Sequence, residues 1–263
     1  MTQLPQLLHY DLGEGVTAFS STRHGGVSEG NYAEFNINYY CGDLVSHIEA
    51  NRQTLCRLLG IDENHLVYPH QVHGVEVRQI DGEFFSLSSA ERKMVLEGVD
   101  AVRTDLRGVC VGVSTADCIP LLIYDEAHHA VCAVHAGWRG TVARVAQKAV
   151  TEMHRVYSSS PADLRVVVGP GISLENFEVG DEVYERFAEA GFPMESIARR
   201  YKKWHIDLWE CNRLQFIQLG VSPSNIQVSG ICTFAQADDF FSARRLGIDS
   251  GRIFTGIYLS TNS

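Results

Sequence analysis

The chain has 263 residues, 45% hydrophobic and 10% aromatic, which is ample for a sizeable core and excludes a disordered chain. Its 22 Lys and Arg against 32 Asp and Glu leave a formal charge of −10, which argues against a chain-wide nucleic-acid or anionic-membrane surface but permits a local basic pocket. The longest apolar stretches, such as Ile119–Tyr124, are too short to span a bilayer, and no basic segment followed by an apolar one opens the sequence, so neither a membrane span nor an export signal is expected.

In chain order, Val16–Ser20 reads as a strand and Arg23-His24-Gly25-Gly26 as a glycine turn. From about Ser46 to Leu59 a helical stripe carries Ile48, Leu55, Leu58 and Leu59, and Gly60 ends it. Val75–Ile80 is the next expected strand. Val109–Val113, Ile119–Tyr124 and Ala130–Val134 are nearly continuous apolar runs, broken at Asp117-Cys118 and Asp125–His129, and read as strands buried on both faces. One long amphipathic helix is expected from Thr141 to Tyr157, with Val142, Val145, Ala146, Ala149, Val150, Met153 and Val156 on its apolar face. Ser158-Ser159-Ser160-Pro161 is a loop, because the strand Leu164–Val168 follows at once. Helices over Asp181–Ala190 and Trp209–Leu219 and strands at Ile226–Val228 and Ile253–Leu259 complete the pattern. No repeat, low-complexity tract or linker divides it. The expectation is a single α+β domain over residues 1–263, with a mixed sheet flanked by helices.

The chemistry-bearing residues cluster at strand ends. Cys118 lies at the break before one buried strand, and His135 ends the next, just before a helix. If the two strands are neighbours, their ends meet. His70-Gln71-Val72-His73-Gly74 offers further imidazoles; in an extended segment residues three apart point to opposite faces, so one of His70 and His73 would reach a shared site. One thiolate and two imidazoles suit Zn²⁺, with a fourth position open to water or substrate. A metal there would draw a bound water's pKa from about 15.7 towards about 7. The bland alternative is a small buried cysteine beside hydrogen-bonded core histidines.

The seven cysteines are odd in number and lack a disulfide-scaffold spacing, which suits a reducing cytoplasm. Cys56, Cys110 and Cys132 read as core; Cys41, Cys211 and Cys232 have no neighbour at metal spacing, and His128-His129 reads as a solvated turn. Arg23 and Arg139 beside glycines, and Arg244-Arg245 after Phe240-Phe241, could hold phosphate or carboxylate in a fork, although each alone reads more readily as a surface charge. Arg199-Arg200 with Lys202-Lys203 reads as a solvated face.

Taken together, Ser21-Thr22-Arg23-His24-Gly25-Gly26-Val27-Ser28, Gln71-Val72-His73-Gly74, Thr115-Ala116-Asp117-Cys118-Ile119-Pro120 and His135-Ala136-Gly137-Trp138-Arg139-Gly140 resemble one family. Gly169-Pro170-Gly171-Ile172, Phe177-Glu178-Val179-Gly180, Cys232-Thr233-Phe234 and Phe240-Phe241-Ser242-Ala243-Arg244-Arg245 extend the resemblance from about Gly15 to Tyr258. The chain is similar to the bacterial purine nucleoside phosphorylases once named multicopper polyphenol oxidases or laccase-domain proteins. The resemblance implies a metal site of His73, Cys118 and His135, and so selects His73 over His70. It implies phosphorolysis of adenosine, inosine and methylthioadenosine, with adenosine deamination beside it. Arg23, Asn36, His70 and Arg244 fall where a phosphate or ribose pocket would be, and Asp117 would orient a ligand, move a proton or cap a turn. The implied partners are purine nucleosides and inorganic phosphate, with Zn²⁺, or Cu²⁺ in the same site; a cytoplasmic monomer or homodimer is expected.

Three other readings use the same residues. A copper-dependent polyphenol oxidase needs many imidazoles, commonly as His-x-His, yet none of the eleven histidines forms that motif. None of the four methionines neighbours the cluster in sequence. A metal-free thiol hydrolase would use Cys118 as nucleophile and His135 as base. A binding module with a structural zinc would need a fourth protein ligand.

Overall fold

Alternation along the central strands sets the architecture. In Ile119–Asp125, the side chains of Ile119, Leu121 and Ile123 enter one buried cluster and those of Leu122 and Tyr124 another. In Ala130–Ala136 the division is the same, with Cys132 and Val134 on one side and Val131 and Ala133 on the other. Both strands are therefore covered on two faces, as their apolar runs imply.

In the computed structural model, which describes residues 4–261, these strands are the centre of a six-stranded sheet. Its order is Ile226–Val228, Leu164–Val168, Ile119–Asp125, Ala130–Ala136, Ala101–Thr104, Val77–Gln79; the two outermost pairs are parallel and the inner ones antiparallel. A five-stranded sheet runs Leu7–Tyr10, Val16–Ser21, Ile253–Leu259, Cys110–Thr115, Leu66–Val67, with only the last of its pairs parallel. A small third sheet joins Glu178–Val179, Trp204–Ile206 and Ala198–Arg200.

The two large sheets stack. Val102, Leu122, Val131 and Val167 of one meet Ala18, Val111, Val113 and Ile257 of the other in a shared buried layer. The outer face of the six-stranded sheet is covered by the helices Val145–Tyr157 and Leu208–Leu219, through Ala146, Ala149, Met153 and Phe216. The helix Val45–Leu59 covers the other outer face, where Leu55 and Cys56 pack with Phe19, Cys110 and Phe254. The result is a mixed α+β domain in four layers, helix, sheet, sheet, helix.

Two local expectations change. The long helix expected from Thr141 is two helices, Trp138–Val142 and Val145–Tyr157, because Arg144 between them is left-handed at φ +65°. Its guanidinium explains the break: it donates to the Ala190 carbonyl at 2.7 Å and lies 3.7 Å from the Phe192 ring centroid. Tertiary contacts thus hold a conformation that a side chain seldom takes by itself. On the first helix Ile48 and Leu55 are fully buried, but Leu58 is 43% exposed. Two short helices follow the edge strand of the larger sheet: Asp81 caps Gly82–Ser86, and a Ser88/Glu91 capping box starts Ser89–Leu96.

Candidate metal centre

Register brings the first two residues together. Pro120 pairs with His135 and Ile119 with Ala136, so Cys118, one residue before its strand, comes beside Gly137. His135 shares the parity of Val131 and Ala133 and therefore faces the second sheet, at the end of the stacked layer.

The loop from His70 to Gly74 brings the third. Gln71 locks it to the neighbouring strand end: its Nε2 donates to the Ser114 carbonyl and its Oε1 accepts from the Ser114 N–H, both at 2.8 Å. His73 is left-handed at φ +64°. The segment is thus a turn, and the parity argument built on an extended chain does not apply to it; choosing His73 rested on the resemblance alone.

Asp100 organises the rest. Its fully buried carboxylate accepts backbone N–H groups of Val72 (3.3 Å), His73 (3.0 Å) and Gly74 (2.7 Å) and the His135 Nδ1–H (2.8 Å). Its carbonyl accepts the His135 N–H at 2.8 Å. One side chain therefore fixes both the turn carrying His73 and the ring of His135, leaving Nε2 of that ring to face Cys118. Ligand atoms of His73, Cys118 and His135 all lie within 4.8 Å of one another, grading from exposed to half-buried to buried. The two imidazole centroids are 4.8 Å apart, with their planes at 78°.

The electrostatics are those of a coupled pair. Burial raises the Cys118 thiol, but the charge and hydrogen bond of His135, helped by His73, outweigh it and bring it to about 6. Burial lowers His135, but the Cys118 thiolate and Asp100 lift it to about 9. Asp100 is raised by burial and lowered more by His135 and the backbone N–H groups, ending below the usual carboxylate range.

The residues fit a metal ion. Two imidazoles and a thiolate are a donor set for zinc or copper. A Cβ at Gly137 would stand 2.8 Å from His73 Cδ2 and 3.0 Å from Cys118 Sγ, so glycine is what lets the three ligands converge.

The cluster lines a cleft of about 610 Å³, together with Tyr40, His70, Gln71, Thr115 and Arg252. His70 is on its wall outside the ligand cluster, its Nδ1 bonded to Glu97 at 2.8 Å and its ring stacked on Tyr40 at 4.0 Å. The other expected substrate contacts are engaged behind or beside the cleft. Arg23 donates to the carbonyls of Ala33 and Ala237 and lies 4.9 Å from the Phe241 centroid. Asn36, fully buried, donates to Asp43 and accepts the Arg252 N–H. Arg244 reaches the Glu178 carbonyl at 3.2 Å.

Asp117, left-handed at φ +85°, spends both carboxylate oxygens on neighbours: Oδ1 accepts the Thr233 hydroxyl at 2.8 Å and Oδ2 the Arg244 N–H at 2.7 Å. Behind it, Ile172 N–H donates to the Asp117 carbonyl, and a Cβ on Gly171 would collide with Ile119 at 2.4 Å. The GPGI and CTF segments thus pack against the turn that presents Cys118.

Sequence reasoning missed Asp100, Gln71, Tyr40 and Arg252. Asp100 was detectable only as a charged residue just before a short buried strand, Ala101–Thr104. Gln71 stood only as part of the Gln71-Val72-His73-Gly74 motif, and nothing local pointed to its partner 43 residues away.

Comparison with known proteins agrees with this architecture. The family model described as multi-copper polyphenol oxidoreductase laccase matches residues 17–260. A Bacteroides thetaiotaomicron protein named purine nucleoside phosphorylase is 44% identical over 247 residues, covering 93% of this chain and 92% of its own. Adenosine deaminase RL5, from an unknown prokaryotic organism, is also 44% identical, over 248 residues, covering 93% and 94%. Among solved structures, YlmD from Geobacillus stearothermophilus superposes with a TM-score of 0.88 at 30% identity, over 95% of this chain and 94% of that one. The hypothetical protein YfiH of Bacillus licheniformis gives 0.91 at 28%, over 99% and 98%. The chain belongs to the multi-copper polyphenol oxidoreductase laccase family.

Proposed function

We propose that the chain is a zinc-dependent purine nucleoside phosphorylase, cleaving adenosine, inosine and methylthioadenosine with phosphate, and that it also deaminates adenosine. The observation that carries this reading is the Asp100-braced cluster of His73, Cys118 and His135 in a nucleoside-sized cleft. Relatives named for each activity support it.

His73, Cys118 and His135 would hold the ion. When bound, zinc would supply Lewis acidity there and acidify a neighbouring water. The chain's own groups do the rest. Asp100 keeps the His135 Nδ1 protonated and its Nε2 directed at the site. Tyr40, stacked on His70, offers an aromatic face to a purine. His70, braced at Nδ1 by Glu97, would give a proton from Nε2 to the departing base when its ring is doubly protonated. Phosphorolysis further requires an oxyanion held against C1′ of the ribose, and deamination a water directed at C6 of adenine. Arg23, Asn36 and Arg244 serve in this account as supports of the cleft wall, and Asp117 as the brace of the Cys118 turn.

A dedicated multicopper oxidase is the weaker reading, because among the described residues a single group of three potential ligands comes together. Among the same residues no helix is long and apolar enough to cross a membrane; we assign a cytoplasmic monomer or homodimer acting on free nucleosides. The test is Cys118→Ala: it should lose zinc and phosphorolysis together. A variant that keeps full base release would end the assignment, and an unaltered chain that binds no zinc yet loses activity on alkylation of Cys118 would favour the thiol hydrolase.

A further inference from the structure

A second cavity, of about 190 Å³, adjoins the first, and Tyr40 lines both. Arg52, Arg92 and Lys93 line it against one carboxylate, Glu63, on a chain whose net charge is −10. Arg52 is half-buried over the rings of Tyr68 and Tyr39, at 5.1 and 5.5 Å, and its acceptors are neutral: the carbonyls of Leu66 and Glu63, at 3.4 and 3.5 Å, and the Tyr68 side chain. Arg92 lies 5.5 Å from the ring centroids of both Phe84 and Phe85 and donates to the carbonyls of Leu87 and Phe85. Among the described residues, no carboxylate lies within ion-pair distance of any of the three cations.

Cations gathered against aromatic faces without a carboxylate are poorly compensated, and guanidinium forks match the oxygens of a phosphoryl group. The cleft itself does not gather such a set: Arg252, which lines it, is already bonded to the carbonyls of Ile248, Ser250 and Gly251. We propose that the second pocket is a phosphoryl-oxyanion subsite held by Arg52, Arg92 and Lys93. It takes either inorganic phosphate or the phosphate of a nucleotide whose base lies across Tyr40 in the larger cleft. This goes beyond the nucleoside reading, and the pocket's binding needs neither the metal nor turnover.

The test is calorimetric titration of the full chain at low ionic strength with inorganic phosphate, adenosine 5′-monophosphate and adenosine. The variants are Arg52→Gln, Arg92→Gln and Lys93→Gln, with Arg57→Gln as a control cation exposed on the same helix as Arg52. The expected result is anion binding that weakens about tenfold or more in each pocket variant and less than about twofold in Arg57→Gln. Tighter binding of the nucleotide than of either phosphate or adenosine identifies a nucleotide as the source; phosphate binding equal to that of the nucleotide identifies the free anion. Lys93 is exposed, so Lys93→Gln reads the pocket even if Arg52→Gln disturbs folding. Absence of anion binding by the unaltered chain, or equal weakening in Arg57→Gln, would overturn the proposal. Retained phosphate binding in a sample inactive on nucleosides would overturn the phosphorylase reading and leave the pocket standing.

Discussion

Asp100 concentrates more of the centre in one side chain than any ligand does, since the turn of His73 and the ring of His135 both hang on its carboxylate. Asp100→Asn puts an amide NH₂ where one oxygen accepted two of these four donors, so zinc affinity should fall about 10–100-fold. Competition with a chelator measures this, and unchanged affinity would mean that the ligands hold themselves in place. The pair Cys118 and His135 makes a second prediction. Between about 6 and about 9 the thiol is already ionised while His135 still carries both ring protons. Zinc entering in that window must expel about one proton, so its apparent affinity falls as pH is lowered. Calorimetry in buffers of different ionisation enthalpy reads that release directly; none would contradict the ionic pair. Asp117 separates positioning from proton transfer: Asp117→Asn can still accept from the Arg244 N–H and bond Thr233, so turnover should survive, whereas a proton-transferring Asp117 would lose it.

At the scale of elements, the centre depends on links between segments remote in sequence. The amide of Gln71 stands in for a missing strand pairing with Ser114. Gln71→Ala should cost about 1–3 kcal/mol through the two unsatisfied backbone groups and loosen zinc without breaking either sheet. A thermal melt with metal counted on the same sample checks it, and full zinc retention would show that the loop is held otherwise. This is where sequence reading ran out. Long apolar runs such as Ile119–Asp125 and Ile253–Leu259 were legible because their burial writes their pattern. Short pieces whose conformation comes from elsewhere were not. Arg144 breaks a helix for the sake of Ala190 and Phe192, and the two-residue strand Leu66–Val67 exists only by pairing with Cys110 and Val111. Of the site, Cys118 and His135 were legible from their strand ends, but Asp100 and Gln71 act through partners 26 to 43 residues distant.

Across the whole molecule, the layer between the two large sheets joins the cleft to the core, since His135 continues the face that carries Val131 and Ala133. Leu122, fully buried there, should cost about 2–5 kcal/mol when replaced by Ala, and both sheets should melt in one transition. Two separate transitions would divide what we treat as one domain. The reaction is read directly on purified protein with adenosine, with and without phosphate, products separated by chromatography and metal counted on the same sample. A zinc phosphorylase of this kind should give adenine and ribose 1-phosphate only when phosphate is present, at about one zinc per chain, with inosine appearing from deamination. A zinc-loaded sample that forms neither adenine nor inosine from adenosine would contradict it.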